Sequence, residues 1–113
     1  MPLEILDEYF KVKYPDLDIS CKKHIFPRIY DLILDTFLSY KDKFNPNKRE
    51  NAFELFGYDF IIDEDMRTWL IEVNTNPYLG APNKKMMEMV NAMIFDMLEI
   101  ALLPVQKIKR KGN

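Results

Sequence analysis

The chain has 113 residues, 48% of them hydrophobic, with 16 basic and 18 acidic side chains and a formal net charge of −2. That apolar content can build a core, whereas the slight acidity argues against a nucleic-acid binder, which needs surplus Lys and Arg to meet phosphates. One cysteine, Cys21, and one histidine, His24, exclude an intrachain disulfide and a cysteine-rich zinc site.

No apolar run approaches the roughly 20 residues needed to span a bilayer, and the opening residues lack the basic start and long apolar core of a signal peptide. A cytoplasmic protein with no membrane partner is expected, folded as one unit without repeats. Residues 1–20 mix acidic and apolar positions around Tyr14-Pro15-Asp16, which suggests a short helix or irregular segment followed by a turn. From about 25 to 40, Phe26, Ile29, Tyr30, Ile33 and Phe37 recur at helical spacing, so an amphipathic helix is predicted, with Pro27 in its first turn. Cys21 and His24 lie three apart at its entry; two ligands do not make a zinc site, and both are read as structural. Asn45-Pro46-Asn47 and Lys48-Arg49-Glu50 then form a solvated connection.

The stretches 53–63 and 68–74 are rich in aromatic and β-branched residues and predict two strands. Glu64-Asp65-Met66-Arg67 is short and polar enough to join them as a hairpin loop. Pairing Asp63 with Thr68 would set Asp59 opposite Glu72, Gly57 opposite Asn74 and Ile61 opposite Leu70. Trp69 falls on the other face and is expected to anchor a core. The loop Thr75–Pro82 leads to a second helix over about 83–103, with Asn83 as its N-cap and an apolar stripe holding four of the seven methionines. That stripe is expected to pack in the core, Pro104 to end the helix, and residues 105–113 to form a frayed basic tail. The fold class is therefore α+β, an antiparallel hairpin packed with flanking helices.

In this register Asp59, Glu72 and Asn74 project from one face, because side chains alternate along a strand and directly opposed residues share a side. Two facing carboxylates repel unless a positive group lies between them. A hard divalent ion suits that role: magnesium takes oxygen ligands and is commonly shared between one or two carboxylates and nucleotide phosphates. Gly57 would leave room for the ligand. The alternative is that these acids sit on a solvent-facing ribbon, balanced by lysines. Both faces of the hairpin carry apolar residues, which favours the metal.

Phe53-Glu54-Leu55-Phe56-Gly57-Tyr58-Asp59-Phe60, then Asp63, then Trp69-Leu70-Ile71-Glu72-Val73-Asn74-Thr75-Asn76-Pro77 resembles the C-terminal signature of the tubulin–tyrosine-ligase-like family. The resemblance covers about 28 residues closely, and the core match runs over about 24–104. It implies part of an ATP-grasp fold and a ligase that activates a carboxylate with ATP for attack by an amine, adding tyrosine, glutamate or glycine to tubulin. It further implies Mg2+ and ATP as cofactors, with Asp59, Glu72 and Asn74 as metal ligands and Glu72 and Asn74 meeting the ATP phosphates through the metal. Tubulin or microtubules and an amino acid would be the other partners, and the location cytoskeletal, the cilium and basal body included.

An ATP-grasp ligase also needs phosphate-holding lysines, a flexible phosphate-covering loop and an adenine-contacting strand. With glycines only at 57, 80 and 112, no glycine-rich loop is visible. The chain is therefore expected to be a single C-terminal segment that does not ligate alone. A second reading makes it a ligase remnant that binds microtubules or a partner through its methionine-rich helix and the Lys107–Lys111 cluster.

Overall fold

The computed structural model describes residues 3–111, with side chains described through residue 103. The elements in chain order are α1 (Leu3–Lys13), a π-helical turn (Cys21–Ile25), α2 (Phe26–Phe44), β1 (Gly57–Ile62), β2 (Thr68–Asn74) and α3 (Lys84–Lys111). The two strands form one two-stranded antiparallel sheet, so the α+β class is correct. The chain divides into two compact units, one running to Asn47 and including Tyr58–Val73, the other formed by Lys48–Gly57 and the chain from Asn74 onward.

The first unit holds the buried core, made of Phe10, Cys21 and Ile25. Leu6, Tyr14, Ile19, Phe26 and Ile29 pack around it, joined from the hairpin by Ile62 and Met66. The π-helical turn is fixed at its start from two sides. Asp7 Oδ1 accepts the Cys21 amide at 2.7 Å, and Ser20 Oγ accepts the Lys23 amide at 3.3 Å, which satisfies amides that a helix start would otherwise leave open. Burial pushes the Cys21 thiol up to about 11, so it stays protonated at neutral pH, in keeping with a structural role. Pro27 occupies the first turn of α2 as expected. Phe37 of α2 stacks on Tyr58 of β1, with ring centroids 6.4 Å apart, and Tyr58 stacks on Phe60 at 6.1 Å.

Several expectations need correction. Strand pairing begins at Gly57 rather than 53, and residues 53–56 are irregular. Trp69 is 53% exposed instead of anchoring a core; its indole N–H donates to Asp63 Oδ2 at 2.9 Å, which holds the ring beside the turn. Ile71 and Val73 are exposed too, so β2 is not covered at these positions.

In the second unit, Asn83 caps α3 as expected, its Oδ1 accepting the Met86 amide at 2.9 Å. Pro104 does not stop the helix, which continues to Lys111. A proline removes one backbone hydrogen bond, here to the carbonyl four residues earlier, and the bonds on either side can still form. The methionine stripe is exposed at Met86, Met89 and Met93, not packed in a core. Among the described residues, no helix is long and apolar enough to cross a membrane.

Candidate functional site

The hairpin turn is organised by Asp63. Its backbone amide donates to the Arg67 carbonyl at 3.0 Å, its carbonyl accepts the Met66 amide at 3.0 Å, and its Oδ1 accepts the Arg67 amide at 2.8 Å. The Trp69 indole, followed by the Arg67 amide, holds the Asp63 carboxyl below its ordinary range. Met66 sits at φ 63°, the left-handed conformation that lets two residues, Met66 and Arg67, oppose the single Asp63. Asp63 therefore pairs with Arg67 rather than Thr68, one residue short of the expected closure. The reason is local: four loop residues close as a turn plus a bulge, and the sequence offers no glycine at 66 to announce it.

Carried along both strands without interruption, this closure would set Asp59 opposite Ile71. Two further facts bear on the register. β2 has seven residues against six in β1, and at the far end a Cβ built on Gly57 would meet the Asn74 amide, 2.9 Å from Oδ1 and 3.0 Å from Nδ2. The far end thus keeps the expected Gly57–Asn74 neighbourhood, and one extra residue in β2 accounts for the difference between the two ends.

Asp59 lies on β1 and Glu72 on β2, both exposed. Asn74, the last residue of β2, has a buried side-chain oxygen with no hydrogen-bond partner. Such an atom is costly in a folded chain unless something not belonging to the chain satisfies it. Among the described residues no three of the His, Cys, Asp and Glu type gather closely enough for a metal; the expected set has two carboxylates and an amide. Its donor chemistry, all oxygen, fits a hard cation and not zinc.

A cleft of about 960 Å³ lies elsewhere, between Asn51–Glu54 and the α3 residues Met89, Met93, Met97 and Ile100. It contains none of Asp59, Glu72 and Asn74. Its apolar lining is not suited to nucleotide phosphates.

With this geometry in view, the comparisons with known proteins are specific. The profile of the tubulin-tyrosine ligase family matches residues 10–110, and the chain belongs to that family. It is 34% identical over 83 residues to tubulin glycylase 3E of Tetrahymena thermophila, covering 74% of this chain and 6% of that protein. Tubulin glycylase 3A of Drosophila melanogaster is 35% identical over 80 residues, covering 71% and 8%. Tubulin polyglutamylase ttll-5 of Caenorhabditis elegans is 31% identical over 102 residues, covering 83% and 14%. The chain thus spans only a small part of the length of each of these relatives. No solved structure matches it.

Proposed function

We propose that this chain is the magnesium–nucleotide segment of an ATP-dependent carboxylate–amine ligase that adds an amino acid to tubulin, and that it is inactive without the rest of such an enzyme. The observation that carries the reading is the buried, unpartnered oxygen of Asn74 within the Glu72-Val73-Asn74 sequence of a tubulin-tyrosine ligase family member. Asp59, Glu72 and Asn74 would hold the magnesium, Glu72 and Asn74 reaching the ATP phosphates through it. The names of the glycylase and polyglutamylase relatives point to glycine or glutamate as the amino acid and to tubulin as its acceptor.

With the extra residue of β2 at Ile71, Asp59 would stand opposite Glu72 although the turn closes one residue early. Magnesium, when bound, would neutralise phosphate charge during phosphoryl transfer. The chain's part would be to supply three oxygen ligands.

Titration calorimetry of the 113-residue chain with ATP, with and without magnesium, tests this. Magnesium-dependent binding should weaken at least tenfold in Asp59→Ala and in Glu72→Ala. Equal affinity in either variant would remove that residue from the site. Incubated with tubulin, ATP, magnesium and labelled glycine or glutamate, the chain alone should transfer no label.

The partner-binding reading is favoured by the exposure of Met86, Met87, Met89 and Met93 on α3, since methionine side chains adapt readily to a partner. Microtubule co-sedimentation that is lost on neutralising Lys107, Lys109, Arg110 and Lys111 would support it, and no sedimentation would reject it.

A further inference from the structure

Gly57 has no conformational reason to be glycine. Among the described residues no glycine adopts positive φ, and glycine inside a strand weakens it, so its use there marks a close approach of other atoms. Those atoms are identified: a Cβ at position 57 would sit 2.9 Å from Asn74 Oδ1, 3.0 Å from Asn74 Nδ2 and 3.1 Å from Pro77 Cβ. All three distances are shorter than ordinary carbon contacts. Gly57 and Pro77 both lie against the amide, and Asn74 Oδ1 is buried without a hydrogen-bond partner among the described residues.

We propose that Gly57 is a positioning residue, which with Pro77 clamps the Asn74 amide and keeps its oxygen free for a hard divalent cation. The inference rests on the magnesium reading given above and extends it to a residue outside the ligand set. It accounts for the tight space around the Asn74 amide, whose oxygen has no hydrogen-bond partner among the described residues. A methyl group at 57 would meet the end of the rotatable Asn74 side chain and, at 3.1 Å, Pro77 Cβ, and no backbone atom is among these three contacts. The amide can turn away and the proline need give only a few tenths of an ångström, so the strand persists and metal binding suffers more than folding.

The test uses the isotopically labelled 113-residue chain and Mn2+ as the probe, followed by paramagnetic broadening of amide signals, with Mg2+ as competitor. In the unmodified chain, Asn74 side-chain signals and the backbone amides of Asp59 and Glu72 should broaden first and recover on adding Mg2+. Gly57→Ala should keep a dispersed spectrum, shift the Asn74 side-chain signals and weaken Mn2+ binding by ten- to a hundredfold, the range seen when supports behind metal ligands are removed. If Asn74→Ala weakens binding and Gly57→Ala does not, the positioning role is overturned and the magnesium reading stands. If neither variant weakens it, that reading fails and takes this inference with it. A nuclear Overhauser effect between the Gly57 α-protons and the Asn74 side-chain amide is expected in the unmodified chain, and its absence would overturn the clamp even if Gly57→Ala did not fold.

Discussion

The region around α1 and the π-helical turn differs sharply from α3. Both are helical and both carry many apolar side chains, yet Phe10, Cys21 and Ile25 are 2–3% exposed, whereas most of the described α3 side chains are exposed. At about 100° per residue, the α3 residues from Met89 and Ile100 round through Met93, Met97 and Ile94 to Leu98 and Phe95 cover roughly two thirds of the circumference, against the ≳100° stripe that a surface helix needs. The difference lies in what surrounds each helix. The cluster of Phe10, Cys21 and Ile25 is packed by groups from α2 and from the hairpin, Ile62 and Met66 among them, so segments distant in sequence close over it. In its own unit, α3 is met by Asn51–Glu54 along one side, which leaves an open cleft. Apolar content sets how much surface can be buried; closure from several directions decides whether it is.

The largest effect expected from this contrast is at Phe10. Phe10→Ala should destabilise the chain by about 3–5 kcal/mol, through lost transfer energy and the cavity left behind. That is a large share of the stability of a small domain. The urea midpoint followed by circular dichroism measures it. A loss under about 1 kcal/mol would mean that α1 does not form the core, and the contrast with α3 would collapse.

Much of this architecture was legible in the sequence. The second helix was visible in its apolar spacing and Pro27, the cap of α3 in Asn83, and β2 in its run of β-branched and aromatic residues. Three features were not. The core lies in the first 25 residues, which show little periodicity, because Phe10, Cys21 and Ile25 come from different turns of chain and meet only in three dimensions. The register at the turn depended on a left-handed methionine, for which residue type gives no signal. The exposure of Trp69 and of the α3 methionines could not be read from their hydrophobicity, since burial depends on neighbours that a stripe does not specify. Of the candidate site, the residue types and the Gly57–Asn74 neighbourhood were legible. The unpartnered Asn74 oxygen and the wall formed by Pro77 required coordinates.

A smaller effect concerns Met66, which links the hairpin to the core while holding φ 63°. Two terms act there with opposite sign. Removing the side chain loses packing against the core, and removing Cβ releases the left-handed strain of about 1–2 kcal/mol. Comparing Met66→Ala with Met66→Gly separates them, because both lose the packing and only glycine relieves the strain. Met66→Gly should be the more stable of the two by about 1 kcal/mol, somewhat reduced by the greater freedom of glycine in the unfolded chain. If the alanine variant were the more stable, Met66 would not be left-handed in solution and the Asp63–Arg67 closure would be wrong.

The smallest effect is expected on α3. Met89 is 61% exposed and lines the cleft beside Asn51–Glu54, so glutamine there exchanges one unbranched side chain for another of similar length and similar helix propensity. Little apolar area returns to water, because most of it is already there, and the amide can be hydrated where it stands. Met89→Gln should shift stability by no more than about 0.5 kcal/mol, the usual range for a surface position, as read from the same urea midpoint. A loss above about 1 kcal/mol would mean that the α3 face is covered in solution by something this structure does not contain, a second copy included. Sedimentation of the unmodified chain at several concentrations would then tell self-association from a rearranged monomer.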